Sequence, residues 1–299
     1  MGTMMSSERT FGQRADSRQP DRATVWVHYP ALRHHSEVVY HGAEGVVYFG
    51  GAAPAGVMDM VWTGLSFAQV RPLEPAHRLL ILEPEIVEPI SHSDDFLKEF
   101  PLVYTFGKSE LVNVKHYRMG IPPLWPQLRQ VNYRPWTTRR NAVVCVTGNK
   151  YPERLQLLNG YAKLFAAIGL PFDVYGRPGF YDQPYYRGEV QGAAEAKRLL
   201  LSQYRYCLAL ENTCDNELYL TEKLLDGIIS GCFCFYYGGP VQESYPEIPW
   251  DWVASVEASS PASADDHVEY LGVLTERMHQ IRNINLDPLW RMILEDTGK

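Results

Sequence analysis

Through the second half of the chain, short apolar runs alternate with longer stretches whose apolar residues recur every three to four positions. Residues 142–146 (AVVCV), 172–176 (FDVYG), 204–210 (YRYCLAL) and 233–237 (FCFYY) are short and nearly continuously apolar. They read as strands buried on both faces. Between them, 152–168, 192–203 and a segment beginning near 220 carry helical spacing. In the first of these helices Leu155, Leu158, Tyr161, Ala162 and Phe165 fall on one side. In the last, Leu224, Leu225, Ile228 and Ile229 form one stripe with Lys223 nearly opposite. Strand–helix alternation predicts a parallel, doubly wound α/β sheet. Further helices are expected over 264–281 and 286–294.

The first half is less regular. Strands are expected at 25–29, 38–40, 46–49, 79–82 and 102–106, and a helix over 58–68. Residues 120–140 hold Pro122, Pro123, Pro126 and Pro135, a density that few helices or strands tolerate, and they read as a linker. The expected organisation is a disordered polar tail over 1–23, one domain over 24–135 and a second over 141–299. The last helix is a candidate to cross back onto the first domain.

Composition narrows the function classes. At 299 residues the chain has room for two domains. A net charge of −7 argues against broad nucleic-acid binding but leaves room for a local basic pocket. The five cysteines (145, 207, 214, 232 and 234) show neither a CxxC pair nor zinc spacing, which suggests reduced thiols and a cytoplasmic location. Cys232 and Cys234, two apart in an apolar run, read as small buried residues on one sheet face. No run of about 18 apolar residues is present, so no membrane-spanning helix is expected. Esterase elbow, HExxH, Walker and GxGxxG patterns are absent, and no Asp-x-Asp occurs of the kind that holds a sugar diphosphate through a divalent metal. Asp265, Asp266 and His267 read as a helix cap rather than a metal cluster.

The chemistry then falls at the joints between elements, where open α/β sheets bind ligands. The apolar run 79–82 stops at Glu83-Pro84-Glu85. A carboxylate past the end of a buried strand is placed to act as a general base, although an acidic surface loop explains the same residues. Thr147-Gly148-Asn149 leads into a helix with Arg154 in its first turn, where a bound anion or chance placement are both open readings. The strand 204–210 ends at Glu211-Asn212-Thr213, and Thr221-Glu222-Lys223 opens the following helix. Sheet packing does not demand these polar residues. A carboxylate suits a ribose diol and a lysine suits a diphosphate, while an ordinary exposed Glu–Lys pair is the structural alternative.

These motifs carry a resemblance. Tyr204-Arg205-Tyr206, Glu211-Asn212-Thr213, Tyr219-Leu220-Thr221-Glu222-Lys223 and Gly238-Gly239-Pro240 resemble, in order and spacing, the pattern of the α-1,3/1,4-fucosyltransferases, glycosyltransferase family 10. The resemblance extends back through Tyr186-Arg187-Gly188 and Val174-Tyr175-Gly176 to Thr147-Gly148-Asn149, covering about residues 143–245. The segment 230–235 (SGCFCF) departs from the family's usual run, and the first half is similar only in outline.

The resemblance implies a GT-B fold, two Rossmann-like domains facing across a cleft. It implies inverting transfer from GDP-fucose to a hydroxyl of a glycan or small molecule, with no metal or other cofactor. Arg154 and Lys223 would hold the diphosphate, Glu222 the ribose, and Tyr219 and Asn212 would line the donor pocket. Glu211 would sit near the transferred sugar. Thr147, Gly148, Asn149, Tyr175 and Thr221 fall in the matching stretches and count as donor-binding. The base would be Glu83, which follows the strand directly, with Glu85 as the alternative. Other L-sugar or heptose donors, a sugar-nucleotide-binding protein without catalysis, and a structural α/β partner protein are the alternatives.

Overall fold

The computed structural model describes residues 23–28, 36–41, 45–50, 58–62, 78–81, 85, 89–119, 134–148, 153–176, 182–190, 194–254, 268–269, 272–273, 276, 280–281, 284 and 287–296. The expected tail up to residue 22, most of the proline-rich linker, most of the helix over 264–281 and the Asp265–His267 cap lie outside these residues.

Two sheets form, one in each half, and both are built mainly of parallel strands. In the first, β1 (Ala23–His28), β2 (Ser36–His41), β3 (Gly45–Gly50), β4 (Met58–Trp62) and β5 (Arg78–Leu80) are followed by the one-turn helix α1 (Asp94–Leu97). Strands β6 (Val103–Thr105) and β7 (Val114–His116) complete it. The spatial order is β2-β3-β1-β4-β5-β6-β7, and only the β2–β3 pair is antiparallel. The helix expected over 58–68 is not formed at its start. Residues 58–62 instead make β4, paired in parallel with β1 and β5. Its two neighbours satisfy the backbone on both sides, which a run of five residues with no clear period could not announce. The expected apolar run at 79–82 is buried as far as it is described, with Leu79, Leu80 and Ile81 at 0% exposure.

The second sheet comprises β8 (Arg140–Val146), β9 (Phe172–Tyr175), β10 (Tyr186–Gly188), β11 (Tyr204–Leu210), β12 (Phe233–Tyr237) and β13 (Val253–Ala254). All its pairs are parallel, in the order β10-β9-β8-β11-β12-β13. Helix α2 (Glu153–Ala167) covers one face, packing Leu158 and Phe165 on Val143, Cys145, Leu208 and Phe235. Helices α3 (Ala194–Leu201) and α4 (Glu222–Ile229) cover the other face, over Val144, Cys207, Ala209 and Cys234. This is the doubly wound α/β arrangement that strand–helix alternation predicts. The strand order reverses between β8 and β11, so the crevice beyond their carboxyl ends is the place such sheets offer a ligand.

Helix α4 shows how sequence sets a local element. Thr221 caps it, its side chain accepting from the Lys223 backbone N–H. Leu224, Leu225, Ile228 and Ile229 are all buried against the sheet. Gly231, at φ +72°, ends it, with its N–H on the Ile228 carbonyl. Mid-helix, Gly227 lies so close to the sheet that a Cβ there would stand 2.8 Å from Cys234 Sγ and 3.1 Å from Cys207 Sγ. Cys232 and Cys234 are small core residues beneath this helix, at 0% and 1% exposure.

The last helix, α5 (Asp287–Glu295), packs Leu289, Trp290, Ile293 and Leu294 with Leu80, Tyr104 and Phe106 of the first half. A second seam joins the halves directly. Asn216 Nδ2 donates to the Phe106 carbonyl at 2.8 Å, and the Met119 N–H donates to the Leu218 carbonyl at 2.9 Å. Arg118 pairs with Glu247 at 2.9 Å. Among the described residues no helix is long and apolar enough to cross a membrane.

Candidate active site

The carboxyl ends of β8 and β11 flank the point where the strand order reverses. Thr147 and Gly148 leave β8 there, and Glu211 and Asn212 leave β11. Thr147 is buried, and its N–H donates to the Tyr175 carbonyl at 2.9 Å across to β9. Tyr175 is half-buried, with its hydroxyl 3.1 Å from that of Tyr204. Asn149 and Glu83 lie outside the described residues.

Glu211 is fully buried and committed. Its carboxylate accepts from the Thr221 N–H at 2.9 Å, the Thr221 hydroxyl at 2.7 Å and Lys223 Nζ at 3.1 Å. It thereby ties the end of β11 to the start of α4. Sheet packing alone did not call for Glu211; the joint between strand and helix does.

Lys223 differs from its helical-wheel placement. It does not stand out in solvent: its side chain is 16% exposed, bonded to Glu211 and, at 2.9 Å, to the Thr221 hydroxyl. Burial alone would lower its pKa, but the Glu211 and Glu222 carboxylates outweigh that and raise it, so the ammonium stays charged. An ammonium has three N–H groups. Two are used by Glu211 and Thr221. Glu222 beside it is half-buried and 3.8 Å from Lys197, which also pairs with Asp226 at 2.8 Å. Burial pushes the Glu222 carboxyl up, yet Lys223 and Lys197 bring it below its ordinary value.

Arg154 is fully buried on the core face of α2, one turn before Leu158. Its guanidinium donates to the Leu210 carbonyl at 3.0 Å and to Asn212 Oδ1 at 2.6 Å. A strand end and a side-chain amide thus account for an arginine that the sequence suggested a phosphate might explain. Asn212 is buried as well, with Nδ2 3.4 Å from the Tyr219 hydroxyl. Tyr219 is 2% exposed and packs on Phe106 of the first half, with ring centroids 4.8 Å apart. The polar loop 211–221 therefore does two jobs at once: it borders the crevice and it holds the halves together.

Beside this network lies a cavity of about 980 Å³ walled by both halves, at the upper end of small-molecule sites. The first half contributes Glu85, Pro89, His92, Phe106, Gly107 and Lys108. The second contributes a flank of α2 (Glu153, Gln156, Leu157, Gly160, Tyr161 and Leu164), the loop 212–216 and Tyr237. Of the residues expected in the site, Glu85 and Asn212 line this cavity; Arg154 reaches it through its bond to Asn212, and Glu211, Glu222 and Lys223 do not line it. Sequence reasoning missed the α2 flank, His92 and Tyr237. A usable signal was present: Gly160 sits inside a helix where glycine costs about 1 kcal/mol relative to alanine, and Leu164 falls off the core stripe. Among the described residues, no group of three His, Cys, Asp or Glu side chains forms a metal site.

No protein-family model matches the chain, and no curated protein matches it. Among solved structures, it is similar to an α1,3-fucosyltransferase with GDP, at 13% identity and a TM-score of 0.48, over 88% of this chain and 82% of that one. It is also similar to T4 phage β-glucosyltransferase, at 12% identity and a TM-score of 0.46, over 80% of each chain. With TM-scores below 0.5, these likenesses leave the case for function to the residues themselves.

Proposed function

We propose that the chain is a glycosyltransferase that moves a sugar from a nucleoside diphosphate to a hydroxyl group. Its donor is L-fucose on GDP, transferred with inversion and without a metal. One observation carries this reading. The motif residues Glu211-Asn212-Thr213 and Tyr219 to Lys223 lie at the strand ends where the sheet order reverses, beside a cavity walled by both halves. The resemblance of that motif supplies the donor.

The acceptor oxygen attacks the anomeric carbon as the bond from that carbon to the diphosphate oxygen breaks. The acceptor proton passes to a carboxylate after the first-half strand. Glu85 is favoured by its place on the cavity wall, and Glu83 is the alternative. The electron pair leaves with the diphosphate, where Lys223 and the N–H groups at the start of α4 meet the charge. Arg154 acts by orienting Asn212, and Glu222 takes the ribose hydroxyls. The soluble, cytoplasmic setting expected from the cysteines and the absence of an apolar span is part of the proposal.

A second reading keeps the fold and the chemistry but changes the sugar. It is favoured by Glu211, whose burial leaves it no surface with which to read a sugar ring. Both readings are tested by incubating the protein with a panel of nucleotide sugars and following nucleotide release. GDP-fucose should be consumed, and Glu85→Gln should bind GDP as wild type does while losing about 10²–10⁴-fold in transfer. Transfer unchanged in both Glu85→Gln and Glu83→Gln would overturn the assignment of the base. Binding of GDP-fucose without turnover would replace the enzyme by a binding protein.

A further inference from the structure

We infer that the cavity along α2 is the acceptor site, and that its acceptor is an uncharged molecule carrying an apolar ring system, not an anionic glycan; this rests on the transferase reading above. The walls argue it in three steps.

Charge comes first. Among the described lining residues, Glu85, Glu153 and Asp215 are carboxylates, and Lys108 is the one lysine or arginine. That balance repels a diphosphate and any acidic acceptor. The cations expected to meet phosphate, Arg154 and Lys223, are outside the wall. The nucleotide and the cavity are therefore neighbours that meet at Asn212, which lines the cavity and bonds to Arg154.

The apolar wall comes second. Leu157, Gly160, Tyr161 and Leu164 stand three or four residues apart and make one face of α2. Leu157 and Tyr161 pack against the core around Leu158 and Phe165 as well as lining the cavity, whereas Gly160 and Leu164 line it without joining that core. Leu164 is 39% exposed. Tyr237 meets Tyr161 edge to face with ring centroids 6.2 Å apart, and Phe106 adds a third aromatic ring to the lining. A ring stacked between such walls gains contact that a bare sugar does not.

The notch comes third. A Cβ built at Gly160 meets nothing within 4 Å. Neither packing nor a turn requires glycine there, in contrast to Gly227. Its effect is to leave room in the cavity wall for a planar group.

Cys214 provides the readout. It lines the cavity with its Sγ 3.6 Å from the Tyr237 hydroxyl, and it is exposed while the other four cysteines are buried. Alkylation of the native protein by iodoacetamide, followed by intact mass, reports access to the cavity. The probes are p-nitrophenyl β-galactoside, methyl β-galactoside and p-nitrophenyl β-glucuronide, with thermal shift by GDP measured in parallel. The nitrophenyl galactoside should slow alkylation by about tenfold at about ten times its Kd; the methyl galactoside and the glucuronide should not. Gly160→Trp should abolish that protection and leave the GDP shift intact, and Leu164→Glu, at an exposed position, should do the same. Equal protection by methyl galactoside or glucuronide, or protection by GDP alone, overturns the inference. In the wild type, no protection by the nitrophenyl galactoside while GDP still stabilises the protein sinks the acceptor site and keeps the transferase. Protection in a protein that no nucleotide stabilises keeps the ring-binding cavity and sinks the transferase.

Discussion

Removing one member of the Glu211–Lys223 pair should cost far more than removing both. Glu211 is at 0% exposure and accepts three hydrogen bonds, two from Thr221 and one from Lys223. In Glu211→Gln one oxygen still serves the Thr221 N–H, but an amide NH₂ now faces an ammonium and a hydroxyl. A buried charge-assisted bond is lost and the Lys223 charge is left without its carboxylate, a cost of about 3–4 kcal/mol. Lys223→Met leaves the carboxylate held by Thr221 alone, costing about 2–3 kcal/mol. In the double variant Glu211→Gln/Lys223→Met neither charge remains, and the cost should fall to about 1 kcal/mol. The coupling, read from urea unfolding at pH 7 for wild type, both singles and the double, is then several kcal/mol in favour of the pair. Single variants within about 0.5 kcal/mol of wild type, or costs that simply add, would refute the reasoning. Glu211 would then not be a structural tie.

Three further outcomes are expected. Gly227→Ala should lose about 1–2 kcal/mol despite better helix propensity, because its Cβ meets Cys234 Sγ; adding Cys234→Ala should recover part of the loss in urea titrations. Gly160→Ala, with open space at its Cβ, should instead gain about 0.5–1 kcal/mol. The Glu222 carboxyl lies below its ordinary value of 4.5 in the folded protein, so its contribution is full above pH 4.5 and is lost as pH falls through its folded value. Glu222→Gln should therefore flatten the acid limb of the stability curve relative to wild type, and an unchanged acid limb would contradict the ion pairing with Lys223 and Lys197.

Four strands of the second half, β8, β9, β11 and β12, were legible because each is a nearly continuous apolar run beside helices of clear period. The stripe Leu224, Leu225, Ile228 and Ile229 announced α4, and the structure adds Thr221 as its cap. β7, β10 and β13 left no such mark. They are two or three residues long at sheet edges, too short to show any period. β4 misled for a related reason, since MDMVW fits a helix as well as a strand until its neighbours are known.

The site was legible as a set of residues and not as a set of contacts. A helical wheel shows direction around the axis, but side chains near a helix start lean back toward its N-terminus. Lys223 therefore reaches back to Glu211, and Arg154, on the core side of α2, reaches the end of β11. Only fragments of the cavity were legible, Glu85 and Asn212 among them, because its wall joins residues near 85–108 to α2 and Tyr237, and no local pattern reports so long a separation.

Calorimetric titration of GDP and GDP-fucose into wild type and the Glu211→Gln/Lys223→Met pair tests the central claim most directly. The pair variant keeps the fold while removing the ammonium, so lost affinity is not confused with unfolding. The account predicts that both ligands bind wild type, and that the variant loses at least about tenfold in affinity. No heat with either nucleotide, or the same affinity in both proteins, would contradict it.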